Sequence, residues 1–131
     1  MKKVLCLTMV LLLTVFSFAG CALAQDALLD QVVEVNKSEI PTVLQQSKGV
    51  IKSMAVERDG TKIIIKSILE ESFSFDPAAV DTAAIKVQAD AAVASAKNAG
   101  VTEIVYEYQY IDADGNKLFV WDTENGVTFP A

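Results

Sequence analysis

VIKSMAVERDGTKIIIKSIL, residues 50–69, decides the fold. Val50–Arg58 and Thr61–Leu69 are alternating, β-branched runs on either side of Asp59-Gly60, a pair that supplies the positive φ values a tight hairpin turn requires. A two-residue Asp59-Gly60 loop pairs Val56 with Ile63 and Met54 with Ile65. One face then carries Val50, Met54, Val56, Ile63, Ile65 and Leu69. The other carries Ser53, Glu57, Lys62 and Lys66, diluted by Ile51, Ile64 and Ile68. Side chains alternate with period two along a strand, so agreement between turn and pattern assigns the core face.

Working outward, Asp26 to Ser47 reads as helical, with Leu29, Val33, Ile40 and Leu44 on one face. Asn36-Lys37-Ser38 is expected to interrupt it, with Ser38 as N-cap and Pro41 in the first turn of a second piece. On the other side of the hairpin, Asp76 is an N-cap and Pro77 a first-turn proline. The helix they open runs to about Ala99 and ends at Gly100, with Val80, Ala84, Val87 and Ala91 as its expected contact row. Thr102–Ile111 and Lys117 to about Asp122 form a second hairpin. A left-handed Gly115 bulge pairs Tyr108 with Val120 and Tyr110 with Leu118; a strict two-residue turn pairs Tyr108 with Trp121 instead. The first register is preferred. It puts Tyr106, Tyr108 and Tyr110 in the core, and Phe119 and Trp121 on the opposite face. Thr123 to Ala131 shows no assignable pattern. The expectation is one α+β domain over residues 25–131, in the order α-β-β-α-β-β, with both helices on one face of a mainly antiparallel four-stranded sheet.

Residues 1–24 read as a signal peptide. Lys2 and Lys3 precede an uncharged apolar run from Val4 to Ala19. A leader core spans ~7–15 residues, short of the ~20 needed to cross a bilayer. Two processing sites overlap at its end. Ala19-Gly20-Cys21 reads as a lipoprotein box, with cleavage before Cys21 and lipid on its thiol, although Phe18 stands where an aliphatic residue is usual. Ala22-Leu23-Ala24 reads as an ordinary A-x-A site, leaving Gln25 first. The lipid-anchored reading is preferred; free secretion is the alternative.

The order of elements resembles a family of small bacterial exported proteins and lipoproteins classed as a domain of unknown function. The residues that carry the resemblance are Val35-Asn36-Lys37-Ser38, Asp59-Gly60, and Tyr106-Glu107-Tyr108 through Asp114-Gly115-Asn116, spanning about Glu34 to Asp122. The resemblance implies a fold and an address, and no catalytic residues.

Composition removes much chemistry. The chain has no histidine and two cysteines, Cys6 and Cys21, both in the leader region. Histidine-based triads, His-ligated zinc and a free catalytic thiol in the mature domain are therefore excluded. Loss of Lys2 and Lys3 takes the net charge from −6 to −8, which disfavours nucleic acid as a partner. Adjacent Glu70 and Glu71 point to opposite faces on a strand. Asp112, Asp114 and Asn116 suggest calcium, but an EF-hand would need acids where Tyr110 and Trp121 stand, so a hairpin turn is the better account. No catalytic residue, cofactor or metal ligand is assigned. The candidate binding surface is Phe119, Trp121, Ile51, Ile64 and Ile68. The expected function is a non-enzymatic, exported binding or interaction domain at the bacterial cell envelope, meeting an envelope or extracellular protein and held to the membrane by lipid on Cys21. The alternatives are an inhibitor-like secreted domain, a structural homodimer and, last, a His-free hydrolase.

Overall fold

The computed structural model describes residues 3–5, 25–71 and 73–130. The elements run β1 (Lys3–Leu5), α1 (Gln25–Gln46), β2 (Ile51–Asp59), β3 (Lys62–Leu69), β4 (Phe73–Phe75), a 3-10 turn (Pro77–Ala79), α2 (Thr82–Asn98), β5 (Val105–Ile111), β6 (Lys117–Asp122) and β7 (Gly126–Phe129). The lipoprotein box, Cys21 and both cleavage sites lie outside the described residues. β1 and β4 form a small parallel pair, separate from the main sheet.

The β2–β3 hairpin forms, two residues out of the expected register. Asp59 pairs with Lys62, and Val56 with Ile65. The turn is centred on Gly60-Thr61, and only Gly60, at φ 60°, takes a positive value there. Positive φ at the first central position alone is the requirement of a type II′ turn. A two-residue slip preserves parity, so Val56, Ile63, Ile65 and Leu69 are buried as the pattern requires. Parity breaks at one place. A bulge between Ile51 and Ser53 lets Ile51 pair with Leu69 and pack on the core.

The main sheet has five strands in the order β2-β3-β5-β6-β7, not four. It is mixed. β3 and β5 are parallel, from Lys62 opposite Val105 to Ile68 opposite Ile111, while the other three pairings are antiparallel. Parallel neighbours need a long crossover. Glu70 to Ile104 supplies it and carries α2. The fifth strand comes from the tail. Asp122 Oδ1 accepts from the backbone N–H groups of Glu124 and Asn125 at 2.8 and 2.7 Å, closing the turn that leads into β7.

α1 is one continuous helix, with Pro41 inside it. Pro41 cannot donate to the carbonyl of Lys37, but both residues are exposed and water can serve that carbonyl. The buried face continues through Leu28, Leu29, Val32, Val33, Asn36 and Val43. Asn36 Nδ2 donates to the Val32 carbonyl at 2.9 Å, so a residue read as a helix breaker sits in the core with its amide engaged. Ion pairs from Arg58 to Asp26 (3.2 Å) and Asp30 (3.0 Å) tie the start of α1 to β2.

α2 starts later than expected. Asp76 caps only the 3-10 turn, accepting from Ala78 N–H, and Asp81 is the N-cap of α2, accepting from Ala84 N–H, both at 3.0 Å. The buried row is Ile85, Ala89, Ala92 and Ala96, while Val87 is 70% exposed. Small alanines let the helix lie close over the sheet. The core between helices and sheet is rich in aromatic rings: Tyr106, Tyr108, Tyr110, Phe119 and Trp121 are all buried.

Candidate functional site

The sequence-predicted surface does not assemble as expected. Phe119 and Trp121 are 1% and 4% exposed and lie on the helix side of the sheet. The cause is a bulge at Leu118. Ile111 pairs with Lys117, but beyond the bulge Tyr110 pairs with Phe119 and Tyr108 with Trp121. The preferred register thus fails along most of β6, which turns Phe119 and Trp121 inward. The Phe119 ring centroid lies 6.1 Å from that of Tyr110, and Trp121's lies 5.9 Å from that of Tyr108. Ile51 is drawn to the core by its own bulge. Ile64 and Ile68 remain on the outer face, half-buried.

That outer face is the side away from the helices. The strand registers align Glu57, Ile64, Glu107 and Asp122 in one row. The next row holds Ala55, Lys66, Gln109, Val120 and Phe129; Ser53, Ile68, Ile111 and Lys117 follow. Two ion pairs lie on it. Lys66 Nζ lies 2.9 Å from Glu57, and Lys62 Nζ 3.5 Å from Glu107. Gln109 donates to Glu107 Oε2 at 2.7 Å. Ile64, Ile68 and Ile111 lie among them half-buried and Phe129 on β7 is 42% exposed, whereas Val120, Gln109 and Asp122 in the same rows are buried. This is a locally neutral, half-apolar surface on an acidic domain. Ile111 was legible from its alternation with Gln109 and Glu107. Phe129 was not, because its strand was not recognised.

Two polar features offer other chemistry. A cleft of about 340 Å³ lies where α2 meets the start of β5, lined in part by Asp90, Lys97, Thr102, Glu103, Thr123 and Glu124. Its acids stand on three separate segments, and Asp90 is paired with Lys86 at 2.7 Å. At the β5–β6 turn, Asp112 Oδ1 accepts from the backbone N–H groups of Asp114 and Asn116 at 3.0 and 2.8 Å. The backbone N–H of Asn116 is the main cause holding the Asp112 carboxyl below its usual range. These bonds build the turn itself. Among the described residues, no group of three or more His, Cys, Asp or Glu side chains could hold a metal ion. Among the same residues, no helix is long and apolar enough to cross a membrane.

The tyrosine row is core rather than a platform. Burial pushes Tyr106 up to about 12; Asn36, hydrogen-bonded to it, pulls the other way, and the Glu39 charge adds to the rise. Burial raises Tyr108 and Tyr110 further. Comparison with protein-family models, with curated proteins and with solved structures gives no match.

Proposed function

We propose that this chain is a non-enzymatic, exported interaction domain of the bacterial cell envelope, lipid-anchored through Cys21, with its outer sheet face as the binding surface. One observation carries the binding reading: Ile64, Ile68, Ile111 and Phe129 share the face away from the helices, with the Lys66–Glu57 and Lys62–Glu107 pairs beside them. A surface of that kind suits a protein partner with a neutral, apolar patch, and offers nothing to a polyanion. The address rests on the leader: a basic start, an apolar run and Ala19-Gly20-Cys21. The resemblance to small exported proteins of unknown function agrees with it. A free secreted form, processed after Ala24, is the alternative.

The test places a photo-crosslinking residue at Ile64, or at Val87 on α2 as control, in the full chain within its own envelope. The expected result is one protein adduct at position 64, abolished by Ile68→Glu, and none at position 87. Equal adducts at both positions overturn the binding surface. An adduct between two copies assigns the face to a homodimer instead.

A further inference from the structure

Gln25 joins two parts of the fold that are 75 and 77 residues away in sequence. Its Nε2 donates to the Gly100 carbonyl at 2.8 Å. Its Oε1 accepts from the Thr102 backbone N–H at 2.8 Å and from the Thr102 hydroxyl at 3.1 Å. One side-chain amide therefore satisfies the backbone on both sides of Val101, a buried residue in the loop between α2 and β5. That loop delivers the chain from the crossover helix into the centre of the sheet. The same residue opens α1. It is also the residue that one of the two leader cleavages would place at the N-terminus.

We propose that Gln25 is a pin whose survival depends on which processing site is used, and that it is a modification site in the form cut after Ala24. This rests on the export reading above. Cleavage before Cys21 leaves the Gln25 nitrogen within a peptide bond, where it has no nucleophilic lone pair, and the pin persists. Cleavage after Ala24 frees an α-amine. That amine attacks its own Cδ and forms a new N–Cδ bond. The Cδ–Nε2 bond then breaks, and Nε2, taking a proton from the attacking amine, leaves as ammonia. The product is a five-membered lactam, and no oxidant or co-reactant is consumed. The donor to Gly100 is gone. The ring also draws the remaining oxygen back toward the start of α1, away from Thr102. These bonds lie at the surface, so water replaces part of what is lost and the cost is the net worth of the bonds to Gly100 and Thr102. The anchored form is thus the one that keeps its α2–β5 loop fastened.

The test uses the full chain carrying Cys21→Val, which cannot be acylated, so that export and cleavage after Ala24 yield Gln25 first. Glutaminyl cyclase converts part of the product, and mass spectrometry of the N-terminus follows the loss of ammonia. The cyclised form is expected to melt lower than the open form by about 4–8 °C. Thr102→Val is expected to lower the melting of the open form and to leave that of the cyclised form unchanged. Wild-type protein that begins at Cys21 should be inert to the cyclase. Equal melting of open and cyclised forms, or an equal Thr102→Val effect in both, overturns the proposal. If Met1 is retained in every product, the export reading fails instead. The pin is then tested alone on the unprocessed chain by Gln25→Ala, where a loss of several degrees supports it and no loss overturns it.

Discussion

Tyr108 and Trp121 face each other across the β5–β6 ladder, with ring centroids 5.9 Å apart and planes tilted by 42°. Both are at least 96% buried. Trp121 is the only tryptophan in the chain, so its fluorescence reports on this pair alone. The native emission should be blue-shifted and move to the red on unfolding. Trp121→Ala should cost about 3–5 kcal/mol in urea denaturation, the range for deleting a buried large aromatic. A cycle with Tyr108→Leu and Trp121→Leu should show a coupling of about 0.5–1.5 kcal/mol. A solvent-exposed emission maximum in the native protein would restore the outward register of β6.

Alkaline stability follows from the tyrosines. In the unfolded chain they ionise near pH 10, while burial raises Tyr106 to about 12 and takes Tyr108 and Tyr110 higher. Above pH 10 the unfolded state gives up protons that the folded state keeps, so the equilibrium moves toward unfolding. The sign is that of a raised folded pKa: the contribution is complete below pH 10 and is lost progressively above it. Tyrosinate absorbance should therefore stay low past pH 10 and rise in one step together with loss of tertiary signal. A gradual titration centred near 10 in a still-folded protein would show the hydroxyls to be open to water.

Neighbouring residues on opposite faces give a sharper check. Ile65 is 2% exposed on the helix side, and Ile64 is half-buried on the outer side. Ile65→Ala should cost about 2–5 kcal/mol. Ile64→Thr should stay within about 0.5–1 kcal/mol, as for a partly exposed sheet position that keeps its β-branch. Equal losses at the two positions would mean that the outer face is covered and could not serve as a binding surface.

These contrasts show which parts of the structure were readable. Parity along a strand is a local property, so Val56, Ile63 and Ile65 were placed correctly even though the turn moved by one residue and the register by two. Bulges are different. The extra residues at Lys52 and Leu118 satisfy packing around them and leave no local signature, yet each reverses the face of its neighbours. That is why Ile51, Phe119 and Trp121 changed sides. Alanine repeats make one helix face look like the next, so the buried row of α2 was misjudged. Asp76 and Asp81 are both good caps, and nothing local ranks them. The tail strand was missed, although Asn125-Gly126 is a turn signal and Val127-Thr128-Phe129 alternates after it. Gln25 carried no signal, because its partners are brought near only by the finished fold.

The β2–β3 turn separates two turn types by experiment. Gly60 holds φ at 60°, and no atom lies within 4 Å of where its Cβ would be. Gly60→Ala therefore meets no steric obstacle and is penalised by backbone conformation alone, by about 1–2 kcal/mol. Asp59 is different, since it pairs with Lys62 as the last residue of the ladder and has no positive φ. Asp59→Ala should then lie within about 0.5 kcal/mol of wild type. In a turn centred on Asp59-Gly60, both positions would need positive φ, and both alanines would be penalised alike. Equal losses in urea titrations of the two variants would return the hairpin to that register. A loss confined to Gly60 places the turn at Gly60-Thr61, two residues from where the Asp-Gly pair alone would put its partner strand.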